Sequence, residues 1–394
     1  MYNFALLADG RVCKWKNTDP DRRINVIDCE SVIAVQQNSN KDIFLLMTSN
    51  YHFLLCDDGS EPEDISDLVY KAIRIRAVDA ANVIEEFAIA WSTVAVRTDK
   101  QVGVVTLREV WRRSKTNPVT TFAFKASIDL FSYHGRCGFV RTVRNKLYLI
   151  QGYQKGRTKI PDNILACDPI EIMFPDPENI REIICTGLYA LFLMQDGSVY
   201  SCDFTDTTWY TLKSIEAFVR VEIPKGECVT KIVNYGLGSV YITHEGRCYY
   251  SDSDSYVHPR LFGSLIGRFV TDVYIYMFVF VIRYDDGKLC CLPLYPRNAL
   301  GKKCKHTDLI RTFVNGSAQP VDLPFFDDKD IVSAVETDKS VHFVTSDGQV
   351  YQSAGEIFTK DCAITEIPFF IENPVAVTRA DHTRMIPSAQ SVLD

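Results

Sequence analysis

One short pattern recurs along this chain and limits the folds open to it: an apolar run, an acidic residue followed by glycine, and a second apolar run. Each copy is predicted to be a β-hairpin, because an acid-glycine pair accepts the positive φ of a tight turn between two strands. A single hairpin cannot bury its own apolar face, so repeated hairpins must stack on one another. The clear copies read ALLADGRVCKW at 5–15, LFLMQDGSVYSCDF at 191–204, VYITHEGRCYYSD at 240–252, FVIRYDDGKLCCL at 280–292 and HFVTSDGQVYQSA at 342–354.

Three degenerate copies fill the gaps between the clear ones. IFLLMTSNYHFLLC at 43–56 has Ser49-Asn50 at the turn, and asparagine tolerates a left-handed backbone. TVAVRTDKQVGVV at 93–105 turns at Asp99-Lys100, and FVRTVRNKLYLI at 139–150 turns around Asn145. The turns then recur at a mean step of about 48 residues, within the range of propeller blades. The pattern therefore predicts eight units.

Each hairpin is flanked by further apolar segments, which brings each unit to four short strands. Four strands per unit is the blade of a β-propeller, so we predict an all-β fold with eight hairpin units, or seven blades if one unit is an insertion. The segments before the hairpins include SVIAVQQ at 31–37, IREIICTG at 180–187, VTKIVNYG at 229–236 and DIVSAVET at 330–337; those after them include RINVI at 23–27, AIRIRAV at 72–78, FVRVEI at 218–223 and ITEIPFF at 364–370.

The two ends of the chain are predicted to pair and close a ring. Met1 begins directly inside a hairpin with no strand before it. NPVAVTRADHT at 373–383 resembles the segments that precede hairpins elsewhere, so residues 371–394 are predicted to form a closing segment that removes an exposed sheet edge. Because no linker rich in Gly, Ser or Pro interrupts the repeats, residues 1–394 are predicted to form one propeller domain.

Composition excludes some classes of function. The net charge of −7 disfavours general nucleic-acid binding, which requires a basic face. The most apolar run, VYIYMFVFVI at 273–282, is too short to cross a bilayer, and the N-terminus lacks the features of a secretory signal. Thirteen cysteines lie scattered within strands, so we predict that they are reduced and mostly buried, in the cytoplasm or another reducing compartment.

The repeat phrase resembles that of the regulator-of-chromosome-condensation family of propellers. The residues that carry the resemblance are GLYALFLMQDGSVY at 187–200 and, less closely, SVHFVTSDGQVY at 340–351. The resemblance implies a propeller of usually seven blades, and the family includes a guanine nucleotide exchange factor for a small GTPase. This chain lacks the Trp-Gly that normally follows the hairpin, apart from Trp15, which lysine follows. No residue match carries the exchange activity over.

We find no motif that predicts catalysis, a cofactor or a metal site. Cys290 and Cys291 point to opposite faces of a strand, so they cannot share one tetrahedral metal. Cys304 and His306 have no second ligand pair at zinc spacing, and the acidic clusters lack the calcium-loop phrase. None of the seven histidines lies in a recognisable Ser-His or Cys-His phrase.

Two loop segments are the best candidates for binding a protein partner. REVWRRSK at 108–115 places Trp111 beside Arg112 and Arg113, and GKKCKH at 301–306 contributes Lys302 and Lys303. Tryptophan and arginine are the residue types that anchor interfaces. We therefore predict a non-enzymatic scaffold or a structural part of an assembly, with a virus particle as one compatible context. Two alternatives remain: a regulator of a small GTPase, and a propeller that binds or processes glycans through convergent carboxylates.

Overall fold

The computed structural model gives the architecture of most of the repeats. It describes residues 2–6, 12–16, 24–27, 32–37, 44–56, 62–76, 79–80, 83–90, 93–106, 119–134, 137–151, 169–186, 189–203, 218–235, 238–252, 257–276, 279–293, 320–336, 341–347, 349–354, 363–370 and 384–385.

The chain forms eight antiparallel β-sheets in succession, which we number 1 to 8 in chain order. This confirms the predicted all-β propeller fold and the eight hairpin units. In sheets 2 to 8, we call the strands first to fourth, in the order in which they pair and follow one another. The second and third strands form the predicted hairpin in each sheet.

Sheets 1 to 3 contain the N-terminal hairpins. Sheet 1 has three described strands, beginning with the hairpin, and sheet 3 has a fifth strand beside its first. The strands are β1 Tyr2–Leu6, β2 Val12–Lys16 and β3 Ile24–Ile27 in sheet 1; β4 Val32–Gln37, β5 Phe44–Thr48, β6 Phe53–Cys56 and β7 Glu63–Asp64 in sheet 2; and β8 Ile84–Ala90, β9 Thr93–Thr98, β10 Gln101–Thr106 and β11 Val119–Ala123 in sheet 3.

Sheets 4 to 8 each have four strands. They are β12 Ile128–His134, β13 Cys137–Thr142, β14 Leu147–Gln151 and β15 Ile170–Ile172 in sheet 4; β16 Ile180–Cys185, β17 Tyr189–Met194, β18 Val199–Asp203 and β19 Phe218–Arg220 in sheet 5; β20 Val229–Tyr235, β21 Gly238–Thr243, β22 Cys248–Asp252 and β23 Arg260–Leu261 in sheet 6; β24 Val270–Tyr276, β25 Val279–Tyr284, β26 Leu289–Pro293 and β27 Val321–Asp322 in sheet 7; and β28 Ile331–Glu336, β29 Val341–Thr345, β30 Gln349–Ala354 and β31 Ala363–Phe370 in sheet 8.

Five of the hairpin turns share one geometry. In sheet 5, the N–H of Gly197 donates to the carbonyl of Met194 (3.0 Å), and the N–H of Met194 donates to the carbonyl of Ser198 (2.9 Å). The third residue of this three-residue turn has positive φ, which glycine accepts at least cost. In sheet 2 this position is Tyr51 (φ 64°), so the prediction that Asn50 would take it was one residue out. The five residues are Tyr51, Asn145, Gly197, Gly246 and Gly287.

Every first strand in sheets 2 to 8 has a register shift at its second residue. In sheet 3, for example, Ile84 pairs with Thr98 and Glu86 pairs with Arg97, so Glu85 is the extra residue. Such a bulge bends the strand and turns the extra side chain out of the ladder. The equivalent residues are Ile33, Glu85, Asp129, Arg181, Thr230, Thr271 and Val332.

The core is divided among the joints between consecutive sheets. From sheet 2 to sheet 8, each neighbouring pair of sheets shares its own cluster of buried apolar side chains. Cys290 belongs to the cluster between sheets 6 and 7, and Cys291 to that between sheets 7 and 8. This confirms that the two thiols point to opposite faces of their strand. A sheet buried on both faces by its neighbours is what a propeller blade requires.

A short helix interrupts the all-β pattern between sheets 2 and 3. Helix α1, Ser66–Ala72, packs in the apolar cluster of this joint, and the hydroxyl of Thr121 donates to the carbonyl of Ala72 (2.7 Å). The prediction that AIRIRAV at 72–78 follows the hairpin as a strand was wrong, because β7 already pairs with β6. The helical signal was the i, i+4 and i+7 spacing of Ile65, Val69 and Ala72, all buried.

The C-terminal end adds a strand to sheet 3. Strand β32, Arg384–Met385, pairs antiparallel with β8, with Met385 opposite Glu86. Residues 371–383, which include the whole predicted pairing segment at 373–383, and residues 386–394 lie outside the described residues. Closure of the ring by residues 371–394, and the extent of one domain over 1–394, stay predictions.

Candidate protein-interaction face

The five residues predicted to bind a partner lie outside the described part of the chain. Trp111, Arg112 and Arg113 fall between β10 and β11, and Lys302 and Lys303 fall between β26 and β27. Their role stays a prediction. A different set of loops, those at the hairpin-turn end of the sheets, is described by the structure and carries exposed apolar side chains.

These loops form what we call the turn face: the hairpin turns, together with the connections that lead from each fourth strand to the next first strand. The two kinds of loop are joined by backbone hydrogen bonds. The N–H of Val229 donates to the carbonyl of Gly197 (2.9 Å), and the N–H of Val270 donates to that of Gly246 (2.9 Å). Together with the bond from the N–H of Ile128 to the carbonyl of Asp99 (2.7 Å), these bonds tie the turns of sheets 3, 5 and 6 to the start of the next sheet.

Several large apolar side chains are exposed in the loops of the turn face. Of the seven exposed large apolar side chains among the described residues, five lie in these loops, while Ile33 lies at the bulge of β4 and Val219 in the fourth strand β19. Exposed apolar groups that cluster on one surface typically mark an interaction site. The five loop residues, with their exposed fractions, are Val143 (58%), Met173 (60%), Ile266 (69%), Phe269 (43%) and Phe325 (41%).

Phe269 is held in place by the preceding sheet. A β-carbon at Gly246 would come within 2.5 Å of the Phe269 ring, so the ring lies directly against this glycine. The carbonyl of Phe269 accepts a hydrogen bond from the N–H of Asp285 (3.0 Å). A ring fixed on one side and exposed on the other loses little freedom when a partner covers it.

Phe325, in the connection between sheets 7 and 8, is held in a similar way by sheet 8. Its ring packs edge-on against Tyr351, with centroids 5.2 Å apart, and the ammonium of Lys329 lies 4.6 Å from the ring centroid. Arg268 connects the two aromatic positions, since its guanidinium stacks on Tyr284 (4.8 Å) and donates to Asp322 (2.9 Å), three residues before Phe325.

A second polar site lies at the joint between sheets 3 and 4. Arg97, 3% exposed, donates to Glu86 (2.9 Å) and to the carbonyl of Ile128 (2.8 Å) and forms an ion pair with Glu85 (2.7 Å). Burial raises the pKa of Glu86 to about 7, although Arg97 acts in the opposite direction. The carboxylates of Glu85 and Glu86 both contact the guanidinium of Arg97. This arrangement is typical of a buried ion pair with a structural role.

The same position carries arginine at two further joints. Arg141 pairs with Asp129 (2.6 Å) and donates to the carbonyl of Ile180, the first residue of sheet 5. Arg283 pairs with Asp330 (2.9 Å) and donates to the carbonyl of Ile331 (3.2 Å). These arginines link one sheet to the next. The sequence does not predict these links, because the carbonyl groups that accept from the arginines belong to the next sheet and are distant in the chain.

The cysteines whose side chains the structure describes are free thiols, and all but Cys228 are buried. For these side chains the predicted burial is confirmed, while the reduced state of the cysteines stays a prediction. Burial raises the pKa of Cys185 and Cys290 to about 12, so these thiols stay protonated. No group of three potential metal ligands occurs among the described residues. Within the same residues, no helix is long and apolar enough to cross a bilayer.

Comparison with known proteins supports the fold alone. No protein-family model matches the chain, and no curated protein matches it by sequence. Among solved structures, apo AztD from Citrobacter koseri matches with a TM-score of 0.54 at 10% identity, over 94% of this chain and 96% of that one. Hsv2 from Kluyveromyces lactis matches with a TM-score of 0.50 at 11% identity, over 87% and 99%.

Prp20p from Saccharomyces cerevisiae also matches, with a TM-score of 0.41 at 16% identity, over 67% of this chain and 70% of that one. The neighbours include β-propellers, which agrees with the eight stacked sheets. Their identities are too low to carry a function across. The resemblance to the regulator-of-chromosome-condensation family stays a prediction at the level of the family.

Proposed function

We propose that this chain is a non-enzymatic scaffold that binds a protein partner through loops of its propeller. The observation that supports the proposal is the set of five exposed apolar side chains in the loops of the turn face, two of them phenylalanines packed on one side. Strands in such a fold are committed to packing between neighbouring sheets, so surface loops are where recognition can vary at little cost to stability.

Rigid aromatic side chains suit this role. Phe269 and Phe325 are each packed on one side and open on the other. Interface energies are dominated by a few such anchors, surrounded by groups that exclude water. The other two functions, GTPase regulation and glycan processing, gain no specific support from a described residue: the adjacent carboxylates Glu85 and Glu86 are both engaged by Arg97.

The direct test is affinity purification of the tagged full chain from its own source, with mass spectrometry of the proteins that co-purify. A partner in stoichiometric amount, retained at moderate salt, is the expected result. A chain that elutes alone as a monomer would contradict the scaffold, and assays of glycan hydrolysis and of nucleotide release from small GTPases would then take priority.

A further inference from the structure

We infer that the turn face of sheets 7 and 8 binds a protein segment in which basic residues alternate with apolar ones. This inference rests on the proposed function and names the face and the chemistry of the partner. We call the surface the acidic apolar patch. Its apolar members are Ile266, Phe269 and Phe325, and its carboxylates are Asp285, Asp286, Asp322, Asp327, Asp328, Asp330 and Asp347.

The apolar members are connected through one arginine. Arg268 lies between Ile266 and Phe269 in the chain and donates to Asp322, in the strand that leads to Phe325. Both phenylalanines are held by packing, and Ile266 is 69% exposed. A partner that covers these three side chains would bury apolar area without first having to order them.

The charge of the patch selects the partner. Its seven carboxylates face four basic side chains, Arg268, Arg283, Lys288 and Lys329, each of which pairs with one carboxylate. Within the described residues, Asp285, Asp327 and Asp347 form no ion pair with a basic side chain. A net negative rim around an apolar centre is complementary to a segment that carries lysine or arginine beside apolar residues.

The other exposed apolar pair on the turn face lacks this bias. Val143 and Met173 lie in loops where acidic and basic residues are balanced: Lys125, Arg141, Arg144 and Lys146 against Asp129, Glu171, Asp176 and Glu178. Charge complementarity therefore favours the acidic apolar patch over this second pair as the place where a basic segment binds.

Hydrogen bonds favour the ionised form of two carboxylates of the patch. A hydrogen bond from Lys288 lowers the pKa of Asp286, and one from Thr345 lowers the pKa of Asp347. Both charges favour a lysine or arginine on the partner, and binding should weaken as salt screens the attraction.

The test uses the tagged full chain in its own source, in five forms. The first is wild type, and the second is Ile266→Ser with Phe269→Ser, which removes two anchors. The third is Asp285→Asn with Asp327→Asn, which removes two charges. Val219→Ser, exposed on β19, and Glu63→Gln, exposed on β7, are the matched controls away from the patch. Thermal melts check that every form is folded.

We expect the anchor variant to lower the amount of co-purified partner about 30-fold, the effect of losing an interface hot spot. The charge variant should weaken capture about tenfold at low salt and less at high salt. Both controls should behave as wild type. Should the anchor variant melt early, Phe325→Ser replaces it, with the same expectation.

Carbodiimide cross-linking then identifies the segment that contacts the patch, since it joins carboxylates to amines at zero length. Cross-links from Asp285 or Asp327 to lysines of an apolar, basic segment of the partner would support the inference. If all five forms capture the partner equally, or if cross-links form only elsewhere, the inference about the acidic apolar patch is wrong but the proposed scaffold function is not contradicted. If the wild-type chain captures no partner, both the scaffold function and the inference about the patch are wrong.

Discussion

The joint between sheets 3 and 4 and the joint between sheets 5 and 6 share one backbone arrangement and differ in the side chain that fills it. Arg97 and Leu193 occupy the same position, next to last in the second strand. Arg97 binds two carboxylates and a carbonyl of the next sheet, whereas Leu193 packs in an apolar cluster that includes Val229.

The backbone ties at the two joints are equivalent. The N–H of Ile128 donates to the carbonyl of Asp99 (2.7 Å), and the N–H of Val229 donates to that of Gly197 (2.9 Å). The backbone of the repeat therefore fixes where neighbouring sheets meet, while the side chain at this position can be charged or apolar. A buried arginine needs acceptors for its charge and hydrogen bonds, whereas a buried leucine needs only an apolar space that it fills.

Removal of Arg97 should have the largest effect. In Arg97→Met, Glu86 loses its cation, and the free energy of unfolding should fall by about 3 to 5 kcal/mol, the usual result of breaking a buried pair from one side. Urea unfolding followed by fluorescence measures this loss. Arg283→Met is the matched control: its side chain is 31% exposed, so its loss should cost about 1 kcal/mol. Equal losses at the two sites would break the comparison.

Truncation of Leu193 should cost somewhat less. Leu193→Ala leaves a cavity in the joint between sheets 5 and 6, where the residue is fully buried, and should lower the free energy of unfolding by about 3 kcal/mol. The same urea experiment on Val219→Ala, at an exposed position, should show a change within about 0.5 kcal/mol. If Leu193→Ala showed no loss of stability, the joint between sheets 5 and 6 would be held by its backbone hydrogen bonds alone.

The polar joint should also depend on pH. The pKa of Glu86 rises from 4.5 to about 7 on folding, so between these values the folded chain holds a proton that the unfolded chain has released. This contribution is therefore fully present below about pH 4.5, falls by about 3 kcal/mol as pH rises through 7, and is constant above about pH 8. Unfolding measured from pH 5 to 8 should show a steeper fall for wild type than for Glu86→Gln. Parallel curves would argue against titration at Glu86.

The smallest effect concerns the turns that both kinds of joint share. Gly197 has φ 79°, and a β-carbon there would lie 2.6 to 2.9 Å from Cys228 and the backbone of Val229. Gly287 has φ 82° but open space around it. Gly287→Ala should cost about 1 kcal/mol through backbone strain, and Gly197→Ala about 1 to 2 kcal/mol more. Thermal melts of the two variants provide the test; equal shifts would show that Cys228 moves aside freely.

The sequence predicted the hairpins because their signals are local. Alternating apolar residues and an acid-glycine turn lie within a dozen residues of one another, and the same phrase returned often enough to give the number of units. The turn lies at Ser49-Asn50 as predicted, but the next residue, Tyr51, takes the positive φ in place of Asn50. Local chemistry located that turn but not its strained residue.

Features that depend on neighbouring sheets were not predictable in this way. Phe269 resembles a core residue in the sequence, but in the structure one side of its ring packs against Gly246 of the preceding sheet and the other side is exposed. Likewise, Arg141 reaches the carbonyl of Ile180, about one repeat further along the chain. The prediction that Trp111 and Arg112 bind a partner depends mainly on their residue types, and both residues lie outside the described part of the chain.

The fourth strands protect the chain against edge-to-edge pairing with other chains. In sheets 2 and 4 to 7 these edge strands have only two or three residues, so each offers too short a template for another chain to extend as a growing β-ladder. The longer edge strand β31 contains Pro368, which has no N–H to donate. Concentrated solutions of this β-rich protein should therefore resist fibril growth from its native sheet edges.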